Sequence, residues 1–220
     1  MELGSKHLDL FKGKDAASPL VLVNGQGGSA AGIFSDVSSR VDADFHLAVV
    51  SNLDWNRELS PWPASGLGRG LSPMKGEGRT YLRFLENEVL PRAEREMGVT
   101  PSAYYLAGYS LAGLFALYAA LEENLFAKAA SVSGSLWYPG FLDWVQAAPR
   151  PSSLSYVYLS YGKKEPESRN PILQTVGRRT EDIASALRDK GIAVDLELNP
   201  GNHFADAELR LVKGIARLLS

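Results

Sequence analysis

Residues 104–118, Tyr-Tyr-Leu-Ala-Gly-Tyr-Ser-Leu-Ala-Gly-Leu-Phe-Ala-Leu-Tyr, narrow what this chain can fold into more than any other stretch. Tyr104 to Ala107 reads as a buried strand, and the apolar run after Ser110 reads as a buried helix. Only a short turn around Ser110 lies between them. A strand that reverses so abruptly into a helix brings two backbones together, and small residues must flank the serine. The frame is Gly108-x-Ser110-x-Ala112, followed by Gly113. Alanine stands where glycine is usual at the fifth position, and it keeps the volume small. A serine held on such a turn is a candidate nucleophile if the chain also supplies a base, an orienting acid and oxyanion donors.

The rest of the chain alternates strands with helices. Pro19 to Val23 and Phe45 to Val50 are continuous apolar runs, the mark of strands buried on both faces. Ala127 to Val132, Ser155 to Tyr161 and Ile192 to Leu198 read as further strands, and His7 to Phe11 as an edge strand. Helices are expected over 30–40, 79–97, 141–147 and 171–190, with a closing helix to Leu219. Pro91 is placed to kink or break the second of these, and Gly191 to stop the fourth. The alternation predicts an α/β class chain: one domain over 1–220, with a mostly parallel central sheet of about seven strands and helices on both faces. Residues 52–78, rich in proline and glycine, interrupt the pattern as an irregular excursion expected to wall or cap a pocket.

Composition removes several classes of function. A formal charge of -2 offers no basic patch for nucleic acid. The chain has no cysteine, which excludes disulfides and thiolate metal sites, and no histidine or carboxylate cluster has metal-ligand spacing. No metal and no cofactor are therefore expected. No window reaches the roughly 18 apolar residues that a membrane helix needs. The first ten residues lack the apolar core of a signal peptide, so the cytoplasm is the expected compartment, with a leader removed earlier as the alternative.

The chain has three histidines, and they sort by position. His7 falls in the edge strand and His46 inside a buried strand, whereas His203 lies in the turn 199–203 just past the last strand. Ligands and catalysis gather beyond the carboxyl ends of parallel strands, where Ser110 also sits, so His203 is the candidate base. The acid is expected between serine and histidine in chain order. Glu165, in the loop after 155–161, lies nearest a strand end, with Glu167 and Asp206 in reserve. For the oxyanion hole, the backbone N–H of Leu111 is one donor. The second falls in the loop 24–28, at Gln26 by position or at its neighbour Gly25. That loop lacks the glycine spacing and the Lys-Ser/Thr pair of a phosphate loop. Trp55, Arg57 and Trp62 of the excursion, with Trp137, are candidate walls of a substrate pocket.

Four segments then carry a family resemblance: Gly108-Tyr-Ser-Leu-Ala-Gly-Leu-Phe-Ala, Ser133-Gly-Ser-Leu-Trp137, Tyr161-Gly-Lys-Lys-Glu165 and Asn199-Pro-Gly-Asn-His203-Phe. In this order and spacing the chain resembles the putative esterase family of α/β-hydrolases, which includes esterase D and the siderophore (enterochelin-type) esterases. The match is good from Arg79 onward and loose in the N-terminal third. The resemblance implies an α/β-hydrolase fold and a serine carboxylesterase or related acyl hydrolase. Ser110 would be nucleophile, Glu165 acid and His203 base, acting on a small-molecule ester. Two other readings use the same positions: an acyltransferase with an alcohol or amine acceptor, and a binding module that keeps the fold without the chemistry.

Overall fold

Alternating β-branched and leucine residues at Leu20–Asn24 leave no polar side chain on either face until Asn24, and this segment becomes an inner strand of the sheet. The computed structural model describes residues 1–25, 29–65 and 72–220. Along the chain the elements are β1 (Glu2–Leu3), β2 (Lys6–Phe11), β3 (Leu20–Asn24), α1 (Ala30–Ser38), β4 (His46–Ser51), α2 (Trp55–Glu58), β5 (Pro63–Ala64), β6 (Met74–Lys75), α3 (Gly78–Phe84), α4 (Leu90–Met97), β7 (Tyr104–Tyr109), α5 (Leu111–Glu122), β8 (Phe126–Val132), α6 (Phe141–Ala147), β9 (Tyr156–Gly162), α7 (Val176–Asp189), β10 (Ala193–Asn199) and α8 (Ala207–Leu218).

The main sheet has eight strands in the order β1-β2-β4-β3-β7-β8-β9-β10. From β4 to β10 every neighbouring pair is parallel, and β1 and β2 add an antiparallel margin. Strand parity sorts the side chains into two cores. Leu20, Leu22, Leu106 and Leu159 face α3, α4, α5 and α7, while Val21, Val23, Ala107 and Tyr158 face α1 and α8. Helix α5 is buried along almost its whole length, which accounts for an apolar sequence with no polar stripe.

The expected mostly parallel sheet of about seven strands is present with eight, because Glu2–Leu3 folds back on Lys6–His7 and takes the edge from β2. Two expectations are corrected in detail. Pro91 does not break its helix. A π turn at Leu85–Val89 joins α3 to α4 one residue before it, with the Leu90 N–H donating to the Leu85 carbonyl, and Pro91 falls in the first turn of α4, where a missing N–H is tolerated. The excursion, in its described residues, is not irregular throughout. It holds α2 and the β5–β6 ribbon, and Ser60 Oγ accepts the Gly76 N–H at 2.8 Å and donates to the Asn56 carbonyl at 2.7 Å.

Candidate active site

Strand β7 ends at Tyr109 and α5 begins at Leu111, so one residue makes the whole turn. Ser110 does so with φ 59° and ψ −122°, a conformation that costs a non-glycine residue on the order of 1–3 kcal/mol. Its surroundings hold it there. The Ser110 N–H donates to the Val132 carbonyl at 3.0 Å, and its own carbonyl accepts from Gly113, Leu114 and Ser135 at 3.0–3.1 Å. The glycines are set by contact distance. A Cβ on Gly108 would lie 2.2 Å from the Ala112 carbonyl oxygen, and one on Gly113 would lie 2.9 Å from the Gly108 oxygen. Strand and helix touch backbone to backbone, and the small residues of the frame have no alternative.

His203 reaches Ser110 through the β9–β10 edge of the sheet. The parallel ladder closes at Gly162 opposite Asn199 and then runs on into the loops. Lys163 N–H donates to the Asn199 carbonyl at 2.9 Å and Lys164 N–H to the Gly201 carbonyl at 3.0 Å. These bonds bring the turn carrying Glu165 beside the turn carrying His203. Tyr109, adjacent to Ser110, donates its hydroxyl to the His203 carbonyl and so ties the third loop to the other two.

The result is a line of hydrogen bonds. Ser110 Oγ lies 3.0 Å from His203 Nε2, and His203 Nδ1 lies 3.0 Å from Glu165 Oε2. An ionised carboxylate only accepts, so Nδ1 carries the proton and Nε2 presents its lone pair to the serine hydroxyl. Glu165 Oε1 accepts the Gly162 N–H at 2.6 Å. Burial by itself would push the Glu165 carboxyl up. The hydrogen bond from His203 and the Gly162 N–H outweigh it and hold the group below its ordinary value. Glu167 is exposed on the same turn and Asp206 is the N-cap of α8; it is Glu165 that meets the imidazole. His7 sits between Glu2 and Asp9, and His46 is wholly buried with Nδ1 accepting the Gly13 N–H at 2.9 Å. Neither is near Ser110 in the sheet.

Ser110, Glu165 and His203 open on a cleft of about 950 Å³ whose walls include Asn24, Ile33, Trp55, Trp137, Leu173 and Phe204. Its walls are largely apolar with a few convergent polar groups, the usual character of a small-molecule site. The Leu111 N–H is one of the first-turn donors that a helix leaves without an intrahelical partner. Gly25 is spoken for, since its N–H donates to the Val50 carbonyl at 2.9 Å, and Gln26 lies outside the described residues. Of the four proposed wall residues, Trp55 and Trp137 line the cleft and the other two do not. Arg57 pairs with Asp54 (3.1 Å) at the surface. Trp62 packs among Tyr138, Phe141 and Trp144 and donates its indole N–H to the Pro139 carbonyl at 2.9 Å.

One group escaped the reading of the sequence. Arg210 in α8 is 3% exposed and lies directly behind Glu165. A signal for it exists: Arg210 falls in step with the buried Leu211, Gly214 and Leu218 of an otherwise amphipathic helix. Among the described residues, no group of three or more His, Cys, Asp or Glu side chains is gathered as for a metal ion. No helix among them is long and apolar enough to cross a membrane.

The sequence model of a family described as putative esterase matches residues 37–211, a span that contains Ser110, Glu165, His203 and Arg210. A curated relative, the uncharacterized protein YbbA of Bacillus subtilis (strain 168), is 29% identical over 141 residues, or 63% of this chain. The aligned part spans 56% of that relative's length. Among solved structures, an IroE-like serine hydrolase from Shewanella oneidensis superposes with a TM-score of 0.77 at 17% identity, covering 97% of this chain and 75% of that one. The enterobactin esterase FES from Shigella flexneri, in the presence of enterobactin, gives a TM-score of 0.75 at 19% identity, covering 97% of this chain and 54% of that one. At such identities the structures speak for the fold, which is that of α/β-hydrolase-like esterases.

Proposed function

We propose that this chain, which belongs to the putative esterase family, hydrolyses carboxylic esters through an acyl-enzyme formed on Ser110. The observation that carries the reading is the unbroken line Ser110 Oγ–His203–Glu165, with both links at 3.0 Å, opening on the large cleft. His203 Nε2 takes the hydroxyl proton as Ser110 Oγ attacks the ester carbonyl carbon. Negative charge moves to the carbonyl oxygen, where the Leu111 N–H at the start of α5 is one donor to it. Glu165 stays ionised, keeps Nδ1 protonated and stabilises the imidazolium. The imidazolium then gives its proton to the departing alcohol, which leaves an acyl group on Ser110. Water, deprotonated by the same imidazole, attacks that acyl group; the acyl–Oγ bond breaks, the imidazolium returns its proton to Ser110 Oγ, and the carboxylic acid leaves.

The test uses a p-nitrophenyl ester series and a fluorophosphonate probe. Wild-type protein is expected to turn over the esters and to take up one probe per chain, and Ser110→Ala to lose both. Full labelling of Ser110→Ala would remove Ser110 from the mechanism. A wild type that neither labels nor hydrolyses any ester of the series would leave a binding module on this fold.

A further inference from the structure

Three turns must keep a fixed relation for the Ser110 site to work: the one after β8, the one after β9 that carries Glu165, and the one after β10 that carries His203. One side chain touches all three. Arg210 Nη1 donates to Ser133 Oγ at 3.1 Å and lies 3.5 Å from Glu165 Oε1, while Nη2 donates to the Pro200 carbonyl. The guanidinium and the Glu165 carboxylate are both nearly sealed from water, at 3% and 4% side-chain exposure. Space has been left for it. A Cβ on Gly162 would stand 2.6 Å from the Gly201 carbonyl oxygen, 3.0 Å from Nη1 and 3.1 Å from Nη2, so the last residue of β9 is glycine where the His203 turn and the guanidinium both close on it. Ser133 itself is held at φ 44°, so the turn that meets Nη1 is strained as well as buried.

We propose that Arg210 is a positioning residue of the Ser110 site, a buried fork that clamps Glu165 to the turn carrying His203 and sets a positive charge 3.5 Å behind its carboxylate. The inference rests on the esterase reading above and adds to it a residue that does not face the substrate cleft. The chemistry suits arginine. A planar guanidinium can serve a carboxylate, a hydroxyl and a carbonyl at once in fixed directions, and lysine offers a single point charge. Several groups face the Glu165–His203 pair: Tyr109 from β7, Ser133 after β8, the Gly162 N–H of β9, and Arg210 with Glu208 from α8. Lys164 and Glu167 lie on the Glu165 turn itself. Arg210 is the buried cation of this set. Its charge, 3.5 Å from Glu165 Oε1, opposes protonation of that carboxylate, so its loss should make the carboxylate easier to protonate.

The experiment compares full-length wild type, Arg210→Met and Arg210→Lys over a pH series, reading kcat and KM for a p-nitrophenyl ester together with fluorophosphonate labelling. Arg210→Met should lower kcat by about 10²-fold, the scale of a slight misplacement of reacting groups, with KM within a few-fold of wild type. It should also move the acid limb of kcat/KM to higher pH by on the order of one unit. Arg210→Lys should return that limb to the wild-type position while kcat stays depressed, because the charge is restored and the fork is not. A folded Arg210→Met with the limb unmoved, or a kcat within twofold of wild type, overturns the proposal. If Arg210→Met does not fold, Arg210→Lys decides: wild-type kcat there, or a displaced limb, overturns it equally. Absence of Ser110-dependent labelling in the wild type would instead sink the esterase reading, and this inference with it. Normal wild-type labelling beside an unresponsive Arg210 series sinks this inference alone.

Discussion

A single residue, Glu165, separates what proximity does from what charge does in this site. It is buried, ionised by its partners rather than by water, and bonded through different oxygens to His203 and to the backbone of β9. Glu165→Gln keeps the volume but can offer its amide N–H where His203 Nδ1 needs an acceptor. Turnover of a p-nitrophenyl ester should then fall by about 10³–10⁴-fold with little change in fold, the scale found when a triad acid becomes its amide. The same residue sets a pH effect on stability. Its carboxyl is held below the ordinary 4.5 in the folded protein, so its contribution is present above that value and is lost as pH falls through the lower folded value. Thermal melts of wild type and Glu165→Gln should therefore differ in their steepness of decline on the acid side. Parallel declines would show that Glu165 is not held in this way.

At the scale of elements, the β7–α5 turn carries the argument about Ala112. The frame departs from Gly-x-Ser-x-Gly at that position, yet the close approach is made by Gly108 and Gly113, which meet carbonyl oxygens directly. Ala112 is a fully buried residue of α5 with its methyl group filling the space over Gly108. Ala112→Gly should thus cost about 1 kcal/mol through helix propensity, read as a lower urea midpoint, and leave kcat within a few-fold of wild type. A large gain in activity would mean that alanine holds the turn away from its working shape. Pro91 is the other element-scale case. The proline is plain in the sequence, but whether it breaks a helix depends on a π turn whose residues carry no local mark.

Across the whole molecule, the tryptophans show how far a loop's composition misleads. Trp55 and Trp62 stand seven positions apart in one segment, yet one lines the cleft and the other joins an aromatic cluster around α6. Trp55→Ala and Trp137→Ala should raise KM for longer acyl chains with little effect on the melting temperature. Trp62→Ala should do the reverse, costing about 2–3 kcal/mol, below the roughly 3–5 kcal/mol of a fully buried aromatic. A KM effect from Trp62→Ala equal to that of Trp55→Ala would place Trp62 in the cleft after all.

The sequence by itself was enough for the strand–turn–helix at Ser110, the parallel sheet and the placing of His203, of three histidines, in a turn beyond a strand end. Each of those rests on local pattern: hydrophobic period, small residues at a close approach, and a turn beyond a strand end. Tertiary structure decided which carboxylate meets His203, which aromatic residues face the cleft and what lies behind Glu165. Those contacts join residues as far apart as Ser133 and Arg210, brought together by the loops past the β8, β9 and β10 ends. Strand order and register set such meetings, and a one-dimensional pattern does not contain them.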